Sequence, residues 1–207
     1  MATSLKDNLK SGNFFTVHRL VRFVSDLVNV KVISTKSNLS IYEKFIDVTN
    51  EEDSPQVRTD FYVYCVLSSL PWNGKLLYEN HGPEFDELLE SIKIYISKRQ
   101  KDYLPLLKVW SNDDPHVQEE YLDCLWIQIK KLEDNDWKES QINRPYRPFE
   151  NSLSKSIPLD FPTITPPEYS EQTLFPLPRV IFRMFDYTDV PEVIILIDSQ
   201  NLNELTA

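Results

Sequence analysis

The stretch Ser54-Pro55-Gln56-Val57-Arg58-Thr59-Asp60-Phe61-Tyr62-Val63-Tyr64-Cys65-Val66-Leu67-Ser68-Ser69-Leu70-Pro71 decides the fold. Ser54 is placed to cap a helix, with Pro55 at the first helical position, where its missing N–H costs nothing. From Val57 to Leu70 the apolar residues fall on nearly every side instead of forming one stripe, so this helix must be buried between other helices. Pro71 cannot continue it.

The flanking sequence supplies the neighbours. Gly12 can end a short first helix in the left-handed conformation and Asn13 can cap the next, which puts Val17, Leu20, Val21, Val24, Leu27 and Val28 on one stripe. A third helix runs from about Ser37 through Leu39, Tyr42, Phe45 and Ile46, stopping near Glu51-Glu52-Asp53. After Pro71, residues Trp72 to Glu79 read as an extra turn before Gly82 and Pro83 open a fifth helix. Its stripe is Phe85, Leu88, Leu89, Ile92 and Ile96, and the closing basic run Lys98-Arg99-Gln100-Lys101 suits the negative end of a helix dipole. Asp114-Pro115 begins a sixth helix with Leu122, Leu125, Ile129 and Leu132 buried, and Asp136-Trp137-Lys138-Glu139 has the spacing of a capping box that starts one more short helix. Successive helices with short breaks predict an all-α chain, an α-solenoid of antiparallel helical hairpins in preference to a closed four-helix bundle.

Composition narrows the function. The 207 residues carry 32 acidic and 22 basic side chains, a formal charge of -10, which excludes a large positive field for gripping phosphate backbones. The first 50 residues carry net +3, too weak to argue RNA contact. Three isolated glycines, Gly12, Gly74 and Gly82, exclude glycine-rich phosphate loops and dinucleotide folds. The apolar stretch Val193 to Ile197 is far too short to span a bilayer and reads as a strand or a sticky tail. Cys65 and Cys124 lie in apolar runs, as reduced thiols do, and no secretory signal is visible, so the expected setting is nuclear or cytosolic. The sequon Asn38-Leu39-Ser40 then has no glycosylation machinery to meet.

No constellation supports catalysis, a cofactor or a metal. His18, His81, His116 and the two cysteines lack metal-ligand spacing. The carboxylates Glu119, Glu120 and Asp123 are explained by a helix N-terminus, and Ser68-Ser69 lies in a run that should be buried.

Nine of the fourteen prolines fall between Pro145 and Pro191, a density no helix or central strand tolerates. The segment still carries Tyr146, Phe149, Phe161, Tyr169 and Phe175, so it reads as a strap lying along the helices. The domain plan is a helical-repeat unit over 1–143, a proline-rich strap over 144–189 and a divergent tail over 190–207. Of the four tryptophans, Trp110, before the polar break Ser111-Asn112-Asp113-Asp114, is the one expected to be partly exposed, the others packing between hairpins. Pro178 to Asp189 interleaves bases with aromatics. Trp110, Arg179, Arg183 and Tyr187 are therefore the candidate partner-contact residues.

The runs Arg22-Phe23-Val24-Ser25-Asp26-Leu27-Val28-Asn29, Pro55-Gln56-Val57-Arg58, Leu67-Ser68-Ser69-Leu70-Pro71-Trp72, Gln118 to Trp126 and Arg183-Met184-Phe185-Asp186-Tyr187-Thr188-Asp189 closely resemble the family of large subunits of the nuclear cap-binding complex. The resemblance covers residues 13 to 189 in order. It matches the later part of that family's first helical-repeat domain, similar to the middle domain of the initiation factor 4G scaffold, and the strap that follows. Val190 to Ala207 has no counterpart.

The resemblance implies a non-enzymatic scaffold. In that family a small subunit stacks the methylated guanosine cap between aromatic side chains, while the large subunit braces it and recruits splicing, export and decay factors. The implied partners are thus the small subunit, held mainly by later domains, and messenger RNA processing and export proteins, with capped RNA only indirectly. The implied location is nuclear, with a cytoplasmic share. A free-standing helical-repeat adaptor that binds a peptide, or a non-functional fragment, is the alternative. Family members are several times longer and carry opening helices absent here, so the stripe of Val17, Leu20, Val21 and Val24 is expected to be exposed.

Overall fold

The computed structural model describes residues 1–101, 121–138, 142 and 144–170. The helices are α1 (Ala2–Ser11), α2 (Phe14–Asn29), α3 (Thr35–Asp47), α4 (Gln56–Leu67), α5 (Leu70–Lys98), α6 (Tyr121–Asp134) and a single turn, α7 (Glu150–Leu153), with 3-10 turns at Val48–Asn50 and Arg147–Phe149. Helix α1 packs on α2 and α3 on α4, while α5 lies against α2, α3, α4 and α6. This is an all-α solenoid of helical hairpins, with no strand among the described residues.

Chain punctuation sets these helices. Gly12 takes φ 71, a left-handed conformation that closes α1, and the Asn13 N–H reaches the Asn8 carbonyl at 3.0 Å. The Asn13 side chain then accepts from the Thr16 N–H and starts α2. Leu5 and Leu9 of α1 pack into the same core as Val17, Val21, Val24 and Val28 of α2. The α2 stripe is therefore buried, with Leu20 half-buried, and the expected exposed patch does not exist. Helix α1 covers it together with α3, α4 and α5, all of which pack on α2.

Helix α3 starts earlier than its apolar pattern indicates, because Ser34 accepts from the Ser37 N–H at 3.2 Å. Helix α4 starts one residue later than expected. Pro55 itself, in the extended conformation, is the N-cap residue, and the Ser54 hydroxyl caps nothing. Phe61, Tyr62, Val63, Cys65, Val66 and Leu67 are all buried, as an all-round apolar helix requires.

Residues 72–79 form regular helix, not an isolated turn. Pro71 sits in the first turn of α5, and the helix continues to His81, whose φ of -143 and ψ of 45 break it before Pro83. Phe85, Leu88, Leu89, Ile92 and Ile96 then fill the core, as do Leu122, Leu125, Ile129 and Leu132 of α6. The beginning of the sixth helix at Asp114-Pro115 lies outside the described residues.

The expected capping box at Asp136 is instead the end of α6. Asp136 and Trp137 take φ values of 53 and 56, and the Trp137 N–H returns to the Leu132 carbonyl at 2.7 Å. The reversal buries the Trp137 ring against Gly74 and 5.2 Å from Phe85. Capping-box spacing lost here because the left-handed pair turns the indole inward, where its burial outweighs one more turn of helix.

From Arg144 the chain runs along the helices, although the prolines do admit the single turn α7. The Leu159 carbonyl accepts from the Ser34 N–H at 2.9 Å, and the Leu159 N–H donates to Val32 at 3.0 Å. Asp160 accepts from the Ser34 hydroxyl at 2.9 Å, the Phe161 N–H donates to the Ser37 hydroxyl at 2.9 Å, and Ile164 is buried in the core. These bonds stitch the strap to the start of α3. The tail stretch Val193 to Ile197 lies outside the described residues.

Candidate functional site

The titratable and nucleophilic groups most suited to chemistry are locked in the core. His18 and Ser68 meet at 2.8 Å, but both are buried and the His18 ring is stacked on Tyr64 at 4.7 Å. Substrate has no route to that hydroxyl, so the pair joins α2 to the end of α4. His81 bonds Thr35 at 2.9 Å across the kink in α5. The Cys65 thiol is pushed well above its ordinary range by burial, which disfavours the thiolate. Asp123 pairs with Lys101 at 2.9 Å, whereas Glu119, Glu120 and His116 lie outside the described residues. Asn38 of the sequon is fully buried, so the folded chain presents no glycan acceptor there. Among the described residues no three His, Cys, Asp or Glu side chains gather as a metal site, and no helix is long and apolar enough to cross a membrane.

Two buried arginines fasten the frame. The Arg99 guanidinium donates to both oxygens of Asp60, at 3.1 and 2.8 Å, and the Tyr95 hydroxyl donates to the same carboxylate at 2.7 Å. Burial works against charge on Arg99, but Asp60 holds the guanidinium above its ordinary value; burial and the carboxylate also push the Tyr95 phenol up. Arg99 is thus a tie between α5 and α4, not the solvated dipole cap its basic run indicates. Arg58 makes a bidentate pair with Glu51 at 2.7 and 2.8 Å and donates to the Pro167 carbonyl at 2.7 Å, tying α4 to the strap.

Two clefts of opposite charge open on this frame. The larger, about 900 Å³, runs between the end of α3 and the second half of α5. Glu43, Asp47, Glu51, Glu84 and Glu87 outnumber its cations. Burial, together with the Asp47, Glu84 and Glu87 charges, raises the Glu43 carboxyl above its ordinary value.

The smaller cleft, about 460 Å³, lies between the end of α2, the first half of α5, the turn after α6 and the residues around α7. Its walls carry Lys31, Lys75, Lys138, Arg144 and Arg147 against Glu79 and Glu150, a positive balance in a chain of net charge -10. Arg144 organises it, donating to the carbonyls of Trp72 and Pro71 at 2.7 and 3.0 Å and to the Tyr146 hydroxyl at 2.9 Å. Asn29 donates to the same Trp72 carbonyl at 2.9 Å, and the Arg22 guanidinium lies 4.1 Å over the Trp72 ring. Trp72, Trp126 and Trp137 all pack on the core, as three of the four tryptophans were expected to.

All four residues singled out from sequence as partner contacts, Trp110, Arg179, Arg183 and Tyr187, lie outside the described residues, as does the whole segment Pro178 to Asp189. The basic cleft was missed. Its cations come from four separated segments with no motif among them, and Lys138 was absorbed into the misread capping box.

A family model described as "MIF4G domain" matches residues 4–133. Nuclear cap-binding protein subunit 1 of Rattus norvegicus is 52% identical over 192 residues, which is 93% of this chain and 24% of that protein. The Homo sapiens protein of the same name is 51% identical and the subunit 1-B of Xenopus laevis 50% identical, each with the same coverage. The chain thus spans about a quarter of the length of the curated relatives it matches.

Proposed function

Because this chain belongs to the MIF4G domain family, we propose that it is a non-enzymatic scaffold of the nuclear messenger RNA cap-binding machinery. The observation that carries this is half-identity over 93% of the chain to proteins named nuclear cap-binding protein subunit 1. The geometry supports it. His18, Ser68, Cys65 and Cys124 are buried in the core, while the clefts that open to solvent are lined by charged and polar side chains suited to contacts.

In this reading the cap is held by a small partner subunit, and capped RNA meets this chain only indirectly. The solenoid supports that subunit and recruits processing, export and decay proteins in the nucleus, with a share of the complex reaching the cytoplasm. The helical unit over 1–143 carries the scaffold, the strap over 144–189 follows it, its described part binding α3 and α4 through Leu159, Asp160, Phe161 and Pro167, and the tail over 190–207 stands apart from the role. Partner contacts at Trp110, Arg179, Arg183 and Tyr187 belong to the same proposal. Co-expression of the tagged chain with the small cap-binding subunit tests it. A co-purifying, stoichiometric pair is expected; a chain that always elutes alone would assign it to a free-standing adaptor instead.

A further inference from the structure

The positive cleft beside α7 holds more than a charge imbalance. Two of its lining side chains, Asn29 and Trp137, are 6% and 4% exposed, and each carries a polar atom with no hydrogen-bond partner among the described residues. These are the Asn29 Oδ1 acceptor and the Trp137 Nε1 donor. Buried polar groups are nearly always paired; Asn38 and Gln128 also carry unpaired atoms but line neither cleft, whereas here an unpaired donor and an unpaired acceptor belong to the walls of one cleft, where a ligand that offers both can meet them. A peptide offers both, through its N–H and carbonyl groups.

The rim narrows the ligand further. Five lining cations face two lining carboxylates; Lys75 and Lys138 already meet Glu79 and Asp136 at 3.8 and 3.3 Å, but these pairs are exposed and open to exchange with an incoming anion. A nucleic acid is the poorer match. Base recognition needs an open aromatic face, whereas the Trp72 ring is covered by Arg22 and the Trp137 ring packs on Gly74 and Phe85. The net charge of -10 also opposes a polyphosphate more than a short peptide with a few carboxylates. The size, about 460 Å³, falls within the roughly 300–1,000 Å³ of ligand-holding clefts.

We propose that this cleft, bounded by Asn29, Trp72, Lys75, Trp137, Arg144 and Arg147, is a docking site for an acidic linear peptide of a partner protein. Carboxylates of the peptide pair with Lys75 and Arg147 at the rim. The peptide backbone reaches inward, one carbonyl accepting from Trp137 Nε1 and one N–H donating to Asn29 Oδ1. Both atoms are shielded from water, so the wall must yield to admit it. That wall is irregular backbone there: Lys31 and Trp137, beside these atoms in the chain, take φ values of 55 and 56 outside the helices. The site is independent of the complex proposed above and stands or falls on its own chemistry.

The test uses the full chain and a fluorescein-labelled pool of nine-residue peptides, with Asp or Glu at six positions and the remaining three randomised. Polarisation at physiological salt should show saturable binding that weakens at least tenfold in the Lys75→Glu/Arg147→Glu variant, both sites being exposed. Lys93→Glu, on the far half of α5, should change it less than twofold. A pool with Asn and Gln in place of the acids should not bind. In nitrogen-15 correlation spectra the Trp137 indole N–H, assigned through Trp137→Phe, should move downfield with the bound fraction. Binding that survives the charge reversal, an indole signal that stays still at saturation, no binding at all, or displacement of the peptide by an equimolar RNA nonamer would each overturn the proposal.

Discussion

The pair Asp60 and Arg99 offers the sharpest test of how the helices are fastened. The two side chains are 3% and 2% exposed, lie 39 residues apart, and join by two hydrogen bonds with a third from Tyr95. Replacing Asp60 by Ala leaves a guanidinium in a nearly dry site and strips the Tyr95 hydroxyl of its acceptor. Breaking a buried pair from one side costs about 3–5 kcal/mol. At about 2–4 °C per kcal/mol for a chain of this size, Tm should fall by roughly 6–20 °C. Arg99→Met should cost a similar amount, because it leaves the carboxylate buried. The double variant should lose less than the sum by about 2 kcal/mol, since neither charge is then stranded. Urea unfolding followed by circular dichroism at 222 nm measures all three. A loss under about 1 kcal/mol for Asp60→Ala, or additivity within about 0.5 kcal/mol, would refute the claim that this pair closes α4 onto α5.

Three further outcomes follow from the packing. A helical Gly→Ala change ordinarily stabilises by about 1 kcal/mol, yet a Cβ on Gly74 would lie 2.3 Å from the Trp137 ring, so Gly74→Ala should destabilise and shift tryptophan emission to the red; a more stable variant with unchanged emission would contradict it. Leu125→Ala, at a fully buried position, should cost about 2–4 kcal/mol in the same urea assay, and an unchanged midpoint would show that the α6 stripe is not core. The Glu43 carboxyl is raised in the folded chain, so the native state binds its proton more tightly than the unfolded one and stability falls as pH rises above the ordinary carboxylate value of 4.5. Glu43→Gln should therefore raise Tm at pH 7, with the gain shrinking toward pH 4 and in high salt; a gain that persists at low pH would assign the effect to packing.

The fold was legible where one residue type decides a local event. Gly12 in the left-handed conformation, the Asn13 cap, the all-round apolar run from Phe61 to Leu67 and the stripes of α5 and α6 follow from propensity and period alone. Illegible were the events decided by contacts distant in sequence. Ser34 caps α3 in a setting shared with Asp160, 126 residues away, and Trp137 turns inward because Gly74 leaves room for its ring. Arg99 and Arg58 look like surface charges until Asp60, Glu51 and Pro167 are brought to them by the fold. The buried α2 stripe shows the same limit, since Leu5 and Leu9 alone, at a spacing of one turn, were too little sequence to declare a cover. The basic cleft was hidden for the same reason: sequence shows cations, and only packing shows which of them share a wall.

Under the proposed function this chain braces a cap-binding partner without itself recognising the cap. Holding a methylated, positively charged base requires two open aromatic planes with acidic acceptors at its edge. Among the described residues Tyr42, Phe45, Phe61, Tyr62, Phe85 and Trp137 are buried in the core, and of the exposed rings Phe15 is covered by the Arg19 guanidinium 4.1 Å from its centroid, while Phe23, Tyr78 and Phe149 stand on three different elements. A fluorescence titration of the isolated chain with a capped oligonucleotide and its uncapped twin, at low salt, tests the claim directly. The account predicts superimposable curves with no measurable preference for the cap; a reproducible preference for the capped strand would contradict it and move cap recognition onto this chain.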